Sequence, residues 1–243
     1  MHHNLLFDLD ETLLDFHASE RIALKTVTEA NGLSFTEERY GYFRQINKSL
    51  WLEFEKGNIS KPELFEKRFR MLFEKCGCVT GRTDLHGVNE DFIDCMSRSG
   101  VLMEGALDLL KRITEELPGA RIYIITNGAE RNAKGRIAST GLGSFLSGVF
   151  VSETIGTAKP LREFFDAVIN QIGEPSESCL VIGDSLTSDM LGAKNAGLTS
   201  CWFMPEGDTE KAVREYEIDF TASSFDELFK VIAEQWAKRK FSD

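Results

Sequence analysis

Short apolar runs recur along the chain, and segments with helical periodicity separate most of them. The runs have the unbroken hydrophobicity of strands buried on both faces of a parallel sheet, and they are Leu5–Leu9, Ile122–Thr126, Gly148–Val151, Cys179–Gly183 and Ser200–Phe203. Helical patterns fill the gaps between the last four runs, at Ala129–Thr140, Pro160–Ile172 and Leu186–Ala196. Because strands and helices alternate, we predict an α/β fold: a doubly wound, Rossmann-like parallel sheet.

The segment between the first two strands is too long for a simple crossover. A βαβ unit spans roughly 30 residues, so about 80 of the residues between Thr12 and Ile122 are extra. The extra stretch contains further helical patterns at Ser19–Ala30, Glu37–Glu55, Pro62–Glu74 and Asn89–Arg98. We therefore predict an inserted α-helical domain of residues 16–99, in a core formed by residues 1–15 and 100–243.

Local signals predict where several helices begin. The capping-box spacing, a Ser followed three residues later by a Glu, occurs at Ser60–Glu63 and at Ser224–Glu227. The second of these opens the amphipathic run Phe225–Lys238. Pro160 is predicted to be the first residue of its helix, where its missing N–H costs nothing.

Composition indicates a folded protein with an acidic surface. Of the 243 residues, 42% are hydrophobic, which is enough for a full core. The formal net charge of −11 repels nucleic-acid polymers and anionic membranes, so neither is expected as a partner. A small anionic substrate therefore needs positive charge gathered in one place, such as a bound cation.

The termini and the cysteines bear on location. No apolar run approaches the roughly 18 residues that span a bilayer, and the chain enters its first apolar run without the basic region of a signal peptide. The five cysteines are an odd number, and because Cys76 and Cys78 form C-x-C instead of C-x-x-C, structural thiols are expected rather than a metal site. We therefore expect a cytoplasmic protein, whose oligomeric state the sequence leaves open.

Polar side chains follow the predicted strands at their carboxyl ends, where open α/β sheets bind ligands. They are Asp8 and Asp10, then Thr126-Asn127-Gly128, then Asp184, with Lys159 in a loop and Asp189 one helical turn after Asp184. Carboxylates packed together raise one another's pKa unless a cation neutralises them. Mg²⁺ is the natural cation, because it is held by few carboxylates together with water and phosphate oxygens.

Four of these segments, in this order, resemble the four motifs of the haloacid dehalogenase (HAD)-like superfamily. The segments are Asp8-Leu9-Asp10-Glu11-Thr12, Thr126-Asn127-Gly128, Lys159-Pro160 and Gly183-Asp184-Ser185-Leu186-Thr187-Ser188-Asp189. The resemblance runs from Asp8 to beyond Asp189, and the helical insertion is similar to that superfamily's α-helical cap. One such motif alone is weak, but four in the right order are specific.

The resemblance implies a two-step phosphoryl transfer. Asp8 attacks phosphorus and forms an aspartyl-phosphate, which splits one difficult step into two. Asp10 protonates the leaving oxygen and then takes a proton from the hydrolytic water. Thr126 and Lys159 hold the phosphoryl oxygens, and Lys159 adds positive charge there.

The resemblance also implies the metal ligands. Mg²⁺ is bound by the Asp8 carboxylate, the Asp10 backbone carbonyl and Asp184. Asp189 supports the site and orients either Lys159 or a metal-bound water. Asn127 either contacts phosphate as well or shapes the turn with its glycine neighbour.

Details of the motifs narrow the expected substrate. The segments Asp8–Phe16 and Thr126–Gly128 look most like the branch of pyrimidine-nucleotide 5′-nucleotidases, whereas Ala133 and Arg136 depart from that branch. We predict a Mg²⁺-dependent phosphatase (a hydrolase of phosphoric monoesters) that acts on a small phosphorylated metabolite, with a nucleoside 5′-monophosphate as the leading class. The alternatives are a phosphoglycolate or sugar-phosphate phosphatase and, from a different class, a non-catalytic regulatory or binding module on the same fold.

Side chains of the insertion are predicted to play mainly structural parts. Its aromatic residues at helical spacing are expected to form the cap's own core, although they could also offer a stacking face for a base: Trp51, Phe54, Phe65, Phe69 and Phe73. Arg68 and Arg70 are predicted to be surface charges. Phe16 and His17, just after the first motif, fit either the mouth of the site or a hinge of the cap.

Overall fold

A parallel β-sheet forms the centre of the molecule. The computed structural model describes residues 2–78, 85–204 and 209–237. Within these ranges the sheet has six strands in the order β3-β2-β1-β4-β5-β6, and every neighbouring pair is parallel. The strands are β1 (Asn4–Phe7), β2 (Arg121–Thr126), β3 (Leu146–Val151), β4 (Cys179–Gly183), β5 (Thr199–Phe203) and β6 (Phe220–Ala222). The predicted α/β fold is confirmed.

Helices cover both faces of this sheet. They are α5 (Ala106–Glu116), α6 (Glu130–Thr140), α7 (Ser152–Ile155), α8 (Arg162–Ile172), α9 (Leu191–Ala196), α10 (Thr209–Tyr216) and α11 (Phe225–Ala237). Leu5 and Phe7 belong to one apolar cluster with residues of α5, α6 and α11, whereas Leu6 belongs to the cluster that contains α8 and α9. Because successive strand side chains point to opposite faces, a sheet covered twice needs apolar residues at every position.

The inserted segment forms a third apolar cluster of its own. Its helices are α1 (Phe16–Ala30), α2 (Glu37–Glu55), α3 (Lys61–Lys75) and α4 (Leu85–Arg98), and we call them the cap. Phe43, Phe69 and Phe92 meet at its centre with ring centroids 5.4 to 5.6 Å apart. The five aromatic residues predicted for this core all belong to it or pack against it. The division into two domains at residues 16 and 99 stays a prediction.

The prediction that Arg68 is a surface charge is wrong, because this residue of the cap is only 3% exposed. Its guanidinium lies among aromatic rings of the cap core and donates to the Asn89 side chain. Arg70, two residues further along α3, is exposed and pairs with Glu66.

Helix boundaries near the sheet edge also differ from the prediction. Pro160 lies two residues before α8 instead of at its first position, because loop contacts hold this segment: Asn195 donates to the Pro160 carbonyl. The predicted helix Leu186–Ala196 begins as a π-helical turn, Leu186–Met190, before α9. Elements α7, α10 and β6 were not predicted, because they are only four, eight and three residues long.

The two predicted capping boxes have different outcomes. At Ser60 both reciprocal hydrogen bonds with Glu63 are present. At Ser224 only half of the box is present, since Glu227 N–H donates to Ser224 while the Glu227 carboxylate accepts from Ser223 N–H. The predicted helix end at Lys238 lies outside the described residues.

A search of the helices within the described ranges finds none long and apolar enough to cross a membrane.

Candidate active site

The polar motifs meet at one edge of the sheet because three neighbouring strands end there. Central strand β1 pairs with β2 and β4 in a register that places Phe7 beside both Ile124 and Ile182. Asp8 follows β1 and its N–H donates to the Ile182 carbonyl at 2.8 Å. Thr126 ends β2 and Asp184 follows β4. The carboxyl ends of the three strands therefore bring these side chains together.

Lys159 lies at the centre of this group. Its Nζ donates to Asp8 Oδ1 at 2.6 Å, to Asp189 Oδ1 at 2.6 Å and to the Ile125 carbonyl at 3.0 Å. The side chain is only 2% exposed. Burial alone would lower the pKa of Lys159, but the charges of Asp189 and Asp8 raise it above its usual range. The lysine is therefore a fixed positive charge beside Asp8.

Three carboxylates surround a space large enough for one cation. Asp8, Asp184 and Asp189 each place one oxygen within 4.8 Å of the others. Burial raises the pKa of Asp8 to about 7, with Lys159 opposing the shift and the negative Asp189 adding to it. Burial and the charge of Asp8 raise the pKa of Asp184 well above its usual range. One ammonium does not balance three carboxylates, so the donor set fits an additional hard cation with oxygen ligands, such as Mg²⁺.

Asp189 reaches this group because a glycine lets it approach. A Cβ at Gly183 would lie 2.3 Å from Asp189 Oδ2, so a larger residue would displace this carboxylate. Asp189 Oδ2 accepts from Ser185 N–H at 3.2 Å, while Oδ1 accepts from Lys159. Asp189 was expected to orient either Lys159 or a metal-bound water, and this geometry favours the role of orienting Lys159.

Asp10 lies on the other side of the cluster and faces Arg136. The Arg136 Nη1 atom is 2.6 Å from Asp10 Oδ1, and the arginine is fully buried. The N–H directions do not point along this line, so the contact is an ion pair without an aligned hydrogen bond. Phe16 covers Arg136, with 5.5 Å between guanidinium carbon and ring centroid. In the sequence, Arg136 was notable only because it departs from the pattern of the nucleotidase branch. Its position in a predicted helix did not indicate that it pairs with Asp10.

The loop after β2 is tied to the loop that carries Lys159. Asn127 Nδ2 donates to the Lys159 carbonyl at 2.8 Å, and its Oδ1 accepts from the Lys159 N–H at 3.0 Å. Thr126 Oγ1 accepts from the Gly128 N–H at 3.0 Å. These bonds show that Asn127 positions the backbone of Lys159. A phosphate contact from Asn127 stays a prediction.

Glu11, directly after Asp10, has a left-handed backbone with φ of 57°. A non-glycine residue in this region is uncommon and is often found beside functional sites. Its carboxylate accepts from the His17 N–H at 3.1 Å, which ties the turn after Asp10 to the first residues of α1. Phe16 and His17 are the first residues of α1, and both line the cavity between this site and the cap. Whether they also act as a hinge of the cap stays a prediction.

Two cap residues missed by the sequence also reach the sheet edge. Lys61, on α3, donates to Ser152 Oγ at 3.0 Å and to the Gly128 carbonyl at 3.3 Å, and its Nζ lies 3.3 Å from Glu153. Glu55, at the end of α2, lies close to Thr187, and burial raises its pKa while Thr187 opposes the shift. Both contacts depend on tertiary packing that local sequence does not encode.

A cavity of about 1070 Å³ joins this group to the cap. Its core side is lined by the predicted site residues Asp8, Asp10, Thr126, Asn127, Lys159, Asp184 and Asp189. Its cap side is lined by side chains of all four cap helices, including Glu20, Asn47, Trp51, Arg68 and Phe92. The cavity therefore reaches from the sheet edge into the cap.

Comparisons with known proteins agree with this architecture. The profile of the family described as haloacid dehalogenase-like hydrolase matches residues 3–197. The chain is 36% identical to the pyrimidine 5′-nucleotidase PynA of Streptococcus pneumoniae, over 95% of this chain and 97% of that protein. It is 34% identical to the pyrimidine 5′-nucleotidase YjjG of Escherichia coli, over 84% and 89%. The magnesium-bound crystal structure of the HAD-hydrolase YfnB from Bacillus subtilis superposes with a TM-score of 0.85 at 30% identity, covering 96% of this chain and 99% of that one.

Proposed function

Because the chain belongs to the haloacid dehalogenase-like hydrolases, we propose that it is a Mg²⁺-dependent phosphatase that hydrolyses nucleoside 5′-monophosphates through an aspartyl-phosphate. The enzyme class, a phosphatase, follows from the family together with its nucleotidase relatives. The observation that carries the proposed chemistry is the buried contact of Lys159 with Asp8 at the end of the central strand.

Asp8 is the proposed nucleophile. Its carboxylate lies at the carboxyl-end edge of the sheet and lines the cavity. Lys159 Nζ donates to Asp8 Oδ1 at 2.6 Å. Lys159 and the Thr126 hydroxyl then bind phosphoryl oxygens, where negative charge spreads in the transition state. Asp189 keeps the ammonium of Lys159 in place during this step. The product is an acyl phosphate on Asp8 that water hydrolyses.

Asp10 is the proposed general acid and base. It lines the cavity two residues after the nucleophile, and the ion pair with Arg136 fixes its carboxylate without burying it fully. It gives a proton to the leaving oxygen and afterwards accepts one from the attacking water. Arg136 is a positioning residue in this scheme, since it contacts Asp10 and is itself fully buried.

The proposed metal ligands are Asp8, Asp184 and the Asp10 backbone carbonyl. Burial and the neighbouring carboxylates raise the pKa of both Asp8 and Asp184, and this supports a metal between them. When bound, Mg²⁺ neutralises the carboxylates and the incoming phosphate. A related structure, that of YfnB, contains magnesium.

Metal removal tests this assignment. Excess chelator should abolish phosphate release, because the uncompensated carboxylates at positions 8 and 184 then repel an anionic substrate. Adding Mg²⁺ back should restore the rate, which a phosphate-release assay measures before and after dialysis. Full activity in excess chelator would contradict the metal assignment.

The nucleotide substrate is supported by the relatives and by the cavity. Two relatives that match most of this chain are pyrimidine 5′-nucleotidases. The cavity continues from the proposed phosphate site into the cap, where Trp51, Phe65 and Phe92 line it. A sugar phosphate without a base would leave this aromatic part of the cavity unfilled.

A comparison of substrates separates this proposal from its alternatives. UMP should be hydrolysed with a kcat/KM at least about tenfold above that for ribose 5-phosphate, which is the size of one well-placed hydrogen bond to the base. Phosphoglycolate should be worse still, because its carboxylate enters a cavity that also contains Glu20 and Glu55. Equal values for UMP and ribose 5-phosphate would favour a general sugar-phosphate phosphatase.

A further inference from the structure

Four polar side chains lie buried in the middle of the cap. Glu20, Asn47, Arg68 and Asn89 come from α1, α2, α3 and α4 in turn, and none is more than 5% exposed. Asn47 Nδ2 donates to Glu20 Oε1 at 3.0 Å, and Arg68 donates two hydrogen bonds to Asn89 Oδ1. We call these residues the cap polar cluster. Because buried polar groups cost free energy unless all are paired, such a cluster needs a reason beyond packing.

The cap polar cluster has hydrogen-bonding capacity that the described part of the protein does not use. Glu20 Oε2, Asn47 Oδ1 and Asn89 Nδ2 are buried without a hydrogen-bond partner among residues 2–78, 85–204 and 209–237. His17 Nδ1 lies 3.7 Å from Glu20 Oε2, which is too far for a hydrogen bond. Glu20, Asn47 and Arg68 also line the cavity that leads to the proposed catalytic centre. These three side chains therefore border the space that a bound molecule would occupy.

Aromatic rings flank the cluster on the cavity side. The Arg68 guanidinium carbon lies 4.9 Å from the Phe65 centroid and 4.6 Å from the Phe92 centroid. Burial lowers the pKa of Arg68 to about 9, with the charge of Glu20 opposing the shift, so Arg68 stays charged at neutral pH. Flat apolar walls with a few fixed donors and acceptors between them suit a planar heterocycle with a polar edge.

Helix α2 connects the cluster to the catalytic end of the cavity. Asn47, Trp51 and Glu55 follow one another at intervals of four residues, so they share one face of the helix, and all three line the cavity. Glu55 lies close to Thr187, which belongs to the π-helical turn that follows Asp184. At 1.5 Å per residue, Asn47 lies about 12 Å further along the helix. This distance leaves room for a sugar and a ring in series beyond the phosphate.

We propose that the cap polar cluster is the subsite that recognises the hydrogen-bonding edge of a nucleobase, with Asn47 and Arg68 as its principal groups. The inference rests on the proposed function, since it takes a nucleoside monophosphate as the substrate. Asn47 Oδ1 and Glu20 Oε2 accept from a ring N–H, and Arg68 donates to a ring carbonyl. A ring that carries an N–H beside a carbonyl, as uracil and thymine do, meets both requirements.

Two variants that replace a polar side chain with an apolar one test the subsite. Arg68→Met and Asn47→Leu should each lower kcat/KM for UMP about 10- to 100-fold, the range expected for lost hydrogen bonds that involve a charged group. The kcat/KM for ribose 5-phosphate should not change, because that substrate has no base. Arg70→Met is the matched control, since Arg70 is an exposed arginine of the same helix, and it should leave both values unchanged.

A second measurement does not depend on turnover. Uridine, which has the base but no phosphate, should inhibit the wild-type enzyme competitively and should inhibit Asn47→Leu at least about tenfold less well. Thermal melting checks that both variants fold, and Asn47→Leu decides the question if Arg68→Met does not fold.

The outcomes separate the subsite from the proposed function. If wild type prefers UMP to ribose 5-phosphate and both folded variants keep that preference, the subsite is wrong while the proposed function stands. If wild type shows no such preference, the proposed function fails and the subsite fails with it. If the variants lose UMP hydrolysis but keep ribose 5-phosphate hydrolysis, the result supports both the subsite and the proposed function.

Discussion

Replacing Asp8 with asparagine should lower phosphate release by roughly 10⁴-fold or more, the scale of loss seen when an enzyme is deprived of its nucleophile. Asparagine keeps the shape of the side chain, but its neutral amide does not attack phosphorus. The Lys159 ammonium would also lose one of its two carboxylate partners. Single-turnover and steady-state assays with UMP and Mg²⁺ measure the effect.

The same variant should remain folded. Asp8 is one of three carboxylates crowded around one ammonium, and burial raises its pKa to about 7. Removing that charge relieves repulsion with Asp184 and Asp189, so the melting temperature should not fall. Asp166→Asn, the same substitution at an exposed carboxylate paired with Arg162, is the control and should keep full activity. Substantial turnover by folded Asp8→Asn would exclude Asp8 as the nucleophile.

The fold could be predicted because its strongest signals are periodic. Strand β1 has apolar residues at Leu5, Leu6 and Phe7, and these face two different apolar clusters on opposite sides of the sheet. That unbroken pattern is typical of a doubly covered parallel sheet. Parallel strands end at the same edge, so the convergence of Asp8, Thr126 and Asp184 followed from the fold class alone.

The partners of buried charges could not be predicted in this way. Arg68 and Arg136 are both buried within helices, yet each looks like an ordinary helical arginine in the sequence. Their positions depend on neighbours that are distant along the chain: Asn89 for Arg68, and Asp10 for Arg136. Local periodicity indicates which face of a helix is apolar. It does not indicate whether a charged side chain on that face is paired with a residue from another part of the chain.

A similar limit applies to the π-helical turn after β4. The apolar positions from Leu186 to Ala196 fit a regular helix that begins at Leu186, and no local pattern indicates the wider first turn. In the structure Ser185 O accepts from both the Asp189 and Met190 N–H groups. This wider turn, together with the missing side chain at Gly183, places Asp189 beside Lys159. The prediction therefore found Asp189 but not the geometry that brings it into the site.

Asp10→Asn should slow hydrolysis of UMP by about 10²- to 10⁴-fold, the usual contribution of general acid–base catalysis. Asparagine is neutral, so it neither protonates the leaving oxygen nor accepts a proton from water. The loss should depend on the leaving group. An aryl phosphate such as 4-nitrophenyl phosphate has a leaving oxygen that needs little protonation, so the formation of the aspartyl-phosphate should be slowed less than with UMP.

The dependence on the leaving group distinguishes two parts that Asp10 can play. Its side chain is ion-paired with Arg136 and 27% exposed, so its carboxylate has access to the cavity while its backbone carbonyl remains available to a metal. If Asp10 acts through its proton, pre-steady-state bursts should show fast phosphorylation of Asp8 by the aryl phosphate and slow breakdown of the intermediate in the variant. An equal loss on UMP and the aryl phosphate in the phosphorylation step, together with a raised Mg²⁺ requirement, would show that the side chain serves the metal site instead.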